Sequence, residues 1–311
     1  MAMTGVLRPG HVQLRVLDME AGVHHYRDVL GMQETGRDSE GRVYLKCRDE
    51  FDHHSIVLRE TDHAGMDFVG FKVLDLPTLD DFEKKLQAYG VETRRIPAGD
   101  LLETGERVRF TTPGGHEVEL FAEKTLVGNG CGDTNPKPWD PKVTHGISPV
   151  RMDHLLLFGP NVPETLKLFT EVLGFNLVER VVGPDGQTNI IVFLSCSIKS
   201  HDIAFAHYDE PGKLHHVSFL MDSWEQVLRG GDIMSMENVP VDIGPTRHGV
   251  TRGQTIYAWD PSGNRFEIFK EDRQPYPDHP PLTWTLDGLG AGGGLDYVQR
   301  ELHETFLSVV T

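Results

Sequence analysis

Three residues in the second half of the chain have the types and spacing to hold a metal ion: His154, His216 and Glu267. His154 opens the stretch HLLLFG, His216 lies in HHVSFL and Glu267 in RFEIF, each a segment patterned as a strand. Two imidazoles and one carboxylate on one side of a cation leave its other positions open. That suits a non-haem ferrous ion binding a substrate and O₂ side by side, whereas zinc more often closes tetrahedrally or keeps one water. In HHVSFL, alternation puts His216 and Ser218 on one face and Val217 and Phe219 on the other. It also predicts that His215, the rival ligand, points away. Taken singly, a His at a strand start is more often a hydrogen-bonded surface residue, and a lone Glu in a strand an edge charge. Their coincidence carries the reading.

The coincidence lies in an internal repeat. TTPGGHEVELF in the first half aligns without gaps on AWDPSGNRFEIF in the second. Pro113, Gly115, Glu119 and Phe121 fall on Pro261, Gly263, Glu267 and Phe269, and Phe68–Phe71 falls on His216–Phe219 at the same offset. His11 pairs with His154, and Val29–Gly31 with Val172–Gly174. The first half therefore offers His11, Phe68 and Glu119, with no middle ligand. Two ligands bind a metal weakly, so this copy reads as a vestigial, structural site.

The elements that must position these residues recur four times. HVQLRVLD, FVGFKV, HLLLFGPN and HVSFLM read as leading strands. Each precedes a helical segment: MEAGVHHYRDVLG, LDDFEKKLQAYG, VPETLKLFTEVLG with Gly174 as its stop, and SWEQVLRGGDIM. Strand pairs follow. The order predicts four βαβββ modules in an α+β fold, two per domain, each pair forming a curved, half-open mixed sheet. The expected domains are 1–149 and 150–270, joined through the Pro/Gly-rich stretch Gly128–Pro149. A tail, 271–311, holds a Pro-rich loop (PYPDHPPLTW), a Gly-rich stretch and DYVQRELHETF as a helix.

Composition narrows the class. With 311 residues, 38% hydrophobic and 25% charged, the chain is long enough for two cores of ordinary globular make-up. A formal charge of −17 argues against nucleic acid or anionic membranes as partners. Three scattered cysteines make neither a disulfide framework nor a Cys-rich zinc site. No signal-peptide pattern or membrane-length run appears, so the expected location is cytoplasmic. GLGAGGG at Gly288–Gly294 is no dinucleotide fingerprint, because it follows no strand and opens no βαβ unit.

The stretch GPTRHGVTRGQTIYAWDPSGNRFEIF carries a resemblance. His248, Ile256-Tyr257, Asp260-Pro261, Gly263 and Glu267 are spaced as in the extradiol ring-cleavage dioxygenase signature. With RPGHVQLRVLDM, GRVYLK, MDFVGFKV, LHHVSF and YPDHPPLTW, nearly the whole chain resembles the catechol 2,3-dioxygenase (metapyrocatechase) family of the vicinal oxygen chelate superfamily. The resemblance implies Fe(II) held by His154, His216 and Glu267, a catechol-type substrate with O₂, and ring opening beside the diol to 2-hydroxymuconate semialdehyde. It also implies a homotetramer serving catabolism of aromatic compounds. His201, in KSHDIAF, falls on the family's active-site histidine, and an imidazole with a pKa near neutrality can move the protons of the reaction. By the same resemblance His248 and Tyr257 hydrogen-bond the bound oxygens. From local sequence alone His201 reads as a surface residue, Tyr257 as an ordinary strand aromatic, and Thr246–Gly249 as a turn. Other readings stay open: a biphenyl-type diol dioxygenase, Mn(II) in place of Fe(II), a glyoxalase-like metal isomerase, or a ligand-binding module that needs no metal.

Overall fold

The computed structural model describes residues 5–132, 134–271, 273–276 and 278–311. The expected linker at Asp133, the expected tail at Asp272 and Pro277, and the first four residues of the chain lie outside them. Two mixed sheets make the frame. The first contains β1 (Val6–Val16), β2 (Gln33–Arg37), β3 (Val43–Lys46), β4 (Ile56–Glu60), β5 (Gly65–Val73), β6 (Arg94–Ile96), β7 (Arg107–Thr111) and β8 (Glu117–Phe121). Their spatial order is β2-β3-β4-β1-β5-β8-β7-β6. The second contains β9 (Arg151–Gly159), β10 (Asn176–Val182), β11 (Asn189–Ser195), β12 (Ile203–His207), β13 (Lys213–Leu220), β14 (Val241–Arg247), β15 (Gln254–Trp259), β16 (Arg265–Lys270) and β17 (Leu282–Thr285). Its order is β14-β15-β16-β13-β9-β12-β11-β10-β17.

A helix follows β1, β5, β9 and β13: α1 (Met19–Val23), α2 (Leu76–Tyr89), α3 (Val162–Lys167) and α4 (Trp224–Met236). This is the fourfold βαβββ order that the sequence pattern predicts. Asp18, Asp75 and Ser223 cap their helices by accepting from Ala21 N, Thr78 N and Gln226 N. Beyond α1 and α3 the chain widens into π-helical turns, His24–Val29 and Leu168–Val172. The first ends near Gly31, at φ +79°. A Cβ there would lie 1.9 Å from the His145 carbonyl oxygen, so no other residue fits.

One apolar core lies between the helices and the convex faces of both sheets. Val12 and Leu14 of β1, Leu155 and Leu157 of β9, and Val217 and Phe219 of β13 pack in it with Phe169, Val227 and Met234. Phe71 and Phe175 meet edge-on across the two halves at 5.4 Å. The faces opposite Val217 and Phe219 are thereby left to line a concavity. At the junction the Asp260 carboxylate accepts from Ser262 N and Asn264 N at 2.8 Å each, and from Tyr26 Oη in the first half at 3.1 Å. The DPSG turn is thus both a local fold and a docking point. No described helix is long and apolar enough to cross a membrane.

The tail departs from expectation. DYVQRELHETF is not one helix; only α6 (Glu304–Ser308) is helical there, preceded by the single turn α5 (Leu286–Leu289). Asp296 accepts from Val298 N and Gln299 N, Tyr297 N donates to Arg247 O, and Arg300 is left-handed at φ +59°. These bonds compete with a helix for the same backbone groups and win. Upstream, β17 adds to β10 as a parallel edge strand, so the tail completes the second sheet.

Candidate metal centre

Strand register brings the three candidate ligands together. Ser218 of β13 lies opposite His154 of β9 on one side and Glu267 of β16 on the other. His216 is two residues along β13 on the same face. A small side chain at the centre of this triangle leaves room for the three large ones. One ligand atom from each of His154, His216 and Glu267 lies within 4.8 Å of the others, and all three residues are buried. His154 Nε2 is 3.1 Å and His216 Nε2 3.5 Å from Glu267 Oε2. His216 Nε2 has no hydrogen-bond partner among the described residues, and Glu267 Oε2 has only the approach of the two imidazoles. A divalent cation would satisfy both atoms, so the residues fit a metal.

Neighbours that sequence reasoning missed aim these ligands. Asp153 Oδ2 accepts from His154 Nδ1 at 3.1 Å, leaving the Nε2 lone pair for the centre. Lys199 in turn lies 3.3 Å from Asp153 and 2.9 Å from Asp202. Although burial opposes it, Lys199 and His154 hold the Asp153 carboxyl down at about 2. Thr255 Oγ1 donates to Glu267 Oε1, leaving Oε2 for the histidines. Burial works against ionised Glu267 too, yet the neighbouring imidazoles, His154 first, hold its carboxyl well below 4.5. The signals were available: an Asp beside a ligand His, and a Thr two residues before Tyr257 on the same strand face.

His201, His248 and Tyr257 line the same cavity with His154, His216 and Glu267; Val250, Phe193, Leu289, Leu295 and Phe306 supply apolar walls. The ring of His201 lies 3.8 Å from that of His154, and its Nδ1 is 3.0 Å from Ser200 Oγ. Burial, then the charge of His154, pushes His201 well below 6.5. The expectation of a pKa near neutrality is therefore corrected: this imidazole is neutral at pH 7. His248 Nδ1 faces the Leu295 carbonyl, which only accepts, so its Nε2 accepts from Tyr257 Oη at 2.8 Å. Burial and the charge of Glu267 keep the Tyr257 phenol well above 10, hence protonated. His279 is exposed, against Tyr276 and away from this cavity.

The first half places the same register to another end. Gly70 stands where Ser218 does, between His11 and Glu119, and a Cβ on it would meet the His11 ring at 2.4 Å. Lys124 Nζ donates to His11 Nδ1 at 2.9 Å, so His11 Nε2 carries the proton and donates to Glu119 Oε2 at 3.2 Å. The guanidinium groups of Arg107 and Arg109 pair with the two Glu119 oxygens, and Arg109 stacks 4.1 Å over Phe68. Fixed cations neutralise the carboxylate, and His11 offers no lone pair.

Glu271, past the end of β16, supplies a test of the local field. Burial, then the charge of Asp153, lifts its carboxyl from the usual 4.5 to about 7. The folded state holds that proton more tightly than the unfolded chain. This acid therefore subtracts stability as pH rises from about 4.5 to 7, by about 3 kcal/mol in full. In the metal-free protein, Glu271→Gln is expected to raise the urea midpoint at pH 8 and barely move it at pH 4.5. Equal gains at both pH values would contradict this assignment.

Comparison with known proteins bears on the same geometry. A model described as the catechol 2,3-dioxygenase-like N-terminal domain matches residues 66–125. A second, for the glyoxalase/bleomycin resistance protein/dioxygenase superfamily, matches residues 151–268. A metapyrocatechase of Pseudomonas sp. (strain CF600) is 52% identical over 99% of each chain. This chain belongs to the extradiol ring-cleavage dioxygenases of the metapyrocatechase family. Within that family the solved 2,3-dioxygenase LapB of Pseudomonas sp. KL28 is 65% identical, with a TM-score of 0.91 over 92% of this chain and 100% of that one. Homoprotocatechuate 2,3-dioxygenase of Brevibacterium fuscum, solved with 3,4-dihydroxyphenylacetate, superposes with a TM-score of 0.88 over 100% and 95% of the two chains at 26% identity. A manganese-dependent 2,3-dihydroxybiphenyl 1,2-dioxygenase of Geobacillus genomosp. 3 is 27% identical over 91% of each chain. Extradiol dioxygenases are metal-dependent, and the paired βαβββ sheets are the vicinal oxygen chelate fold.

Proposed function

We propose that this extradiol dioxygenase opens catechol and small alkylcatechols beside the diol, with Fe(II) held by His154, His216 and Glu267. The observation that carries the reading is the convergence of His154 Nε2, His216 Nε2 and Glu267 Oε2 in the lining of a largely apolar cavity. Bound Fe(II) supplies adjacent positions for two diol oxygens and O₂, and acidifies the diol.

The chain's own residues then divide the remaining work. Phe193, Leu289, Leu295 and Phe306 give the ring of the diol apolar walls and exclude water. Neutral His201 takes a proton from the diol and returns it as the ring opens. When a diol binds, Tyr257 turns its one hydroxyl hydrogen from His248 Nε2 to a diol oxygen; until then His248, locked on Leu295 O, holds it. Both atoms of O₂ end in the product, so catechol, C₆H₆O₂, becomes 2-hydroxymuconate semialdehyde, C₆H₆O₄, and no further reductant is needed.

Support for iron over manganese is the 52% identity to a metapyrocatechase against 27% to the manganese-dependent relative. We assign a cytoplasmic homotetramer on the habit of the family; Leu126, Val127 and Trp139 expose apolar side chains of the kind subunit contacts cover. The test is metal-stripped enzyme reconstituted separately with Fe(II) and Mn(II) and assayed on catechol, 3- and 4-methylcatechol and 2,3-dihydroxybiphenyl. Yellow product from the one-ring diols, dependent on Fe(II) and O₂, is expected. An iron-loaded enzyme inert on every diol would sink the proposal, and preference for the two-ring diol would overturn its substrate.

A further inference from the structure

His215 is the extra residue of a β-bulge. Opposite β9, Leu214 pairs with Leu157 and His216 with Leu156, so His215 has no partner of its own. The bulge turns its ring beside that of His216 and not into the core behind the sheet. Nδ1 of His215 lies 2.7 Å from Nδ1 of His216, and its Nε2 lies 2.7 Å from the Phe306 carbonyl oxygen of α6. The ring is buried, with Phe306 against one side and Phe158 stacked on the other.

The hydrogens in this chain can be placed only one way when His216 Nε2 binds a metal. The proton of His216 then sits on Nδ1 and must be donated to His215 Nδ1. His215 carries its own proton on Nε2 and donates it to Phe306 O, which can only accept. A second arrangement competes with it. Arg265 Nη1 is 2.8 Å from the same His215 Nε2, and a guanidinium only donates. If Arg265 supplies that hydrogen, His215 must donate from Nδ1, and His216 keeps its proton on Nε2, where it blocks ligation. Arg265 also donates to Val309 O at 3.0 Å and Thr305 O at 2.8 Å, so it holds the C-terminal segment in both arrangements. Only the Phe306 bond depends on the tautomer.

We propose that His215 is a positioning residue that couples metal ligation by His216 to the seating of the C-terminal segment, 304–311, over the substrate cavity. Metal binding selects the tautomer that clasps Phe306 O. The seated segment, in turn, selects the tautomer of His216 that binds metal. Phe306 walls the cavity and its ring lies 5.4 Å from that of Tyr257, so the clasp also completes the pocket. This inference rests on the metal reading above.

Two measurements test it, neither of them turnover. In the unaltered protein, amide hydrogen exchange of 304–311 is expected to slow by roughly 10- to 100-fold on adding Fe(II) anaerobically. That is the range over which groups behind a ligand tune metal affinity, and the coupling is reciprocal. The second is the Fe(II) dissociation constant by chelator competition. His215→Phe, which fills the space without hydrogen bonds, is expected to weaken binding by about 10- to 100-fold and to abolish the metal-dependent protection. His215→Gln, whose amide both accepts and donates, is expected to restore most of each. Exchange in the unaltered protein that ignores bound iron would overturn the proposal even if the variants failed to fold. So would a folded His215→Phe with unchanged affinity and protection, or a His215→Gln no better than His215→Phe. Failure of the unaltered protein to bind Fe(II) at all would instead defeat the metal reading on which it rests.

Discussion

His216→Ala is expected to abolish detectable ring cleavage and to release the metal, leaving a folded protein of unchanged secondary structure. The three ligand atoms lie within 4.8 Å of one another in a buried site. If a bound cation contributes on the order of 10 kcal/mol, losing one of three ligands costs about 3–4 kcal/mol, a factor of about 10² to 10³ in affinity. Fold is spared because Val217 and Phe219, on the other face of β13, carry the packing. Metal content after gel filtration and catechol turnover are the measurements; retained iron with full activity would remove His216 from the site. Phe68→His is the complementary arm and should bind no second metal. Lys124 holds His11 in the wrong tautomer, and Arg107 and Arg109 already neutralise Glu119.

The second large effect belongs to His201. His201→Gln is expected to lower kcat by about 10²- to 10⁴-fold while leaving iron content intact, because the residue moves protons without ligating. The amide can still hydrogen-bond but cannot accept and return a proton. Because burial favours the neutral imidazole, the unaltered enzyme should keep its proton acceptor down to mildly acidic pH. A variant that loses iron in parallel with activity would make His201 part of the metal's support and not of the proton path.

The sequence alone carried a good deal of this. The order of four modules follows from strand and helix periodicity, because each sheet must bury one apolar face and a helix follows each leading strand to cover it. The ligand set was legible because the repeat supplies an internal control: Phe68 against His216 marks which copy retains the metal. The signature around His248, Tyr257 and Glu267 pointed to a family, and identity over the full length establishes it.

Other features depend on contacts between residues far apart in the chain. Alternation predicts His215 pointing away from His216, yet a bulge puts the two rings in contact, since one extra residue resets which face a side chain takes. DYVQRELHETF has the composition of a helix, but Asp296 and Arg247 hold its backbone otherwise, and tertiary bonds outrank local propensity. Nothing in the types His, His and Glu says which nitrogen carries a proton. Asp153 decides that for His154, Lys124 decides the opposite for His11, and Phe306 contends with Arg265 for His215. The residues that could hold a metal were written in the sequence; which of their atoms are free to do so was settled by the neighbours that folding brings to them.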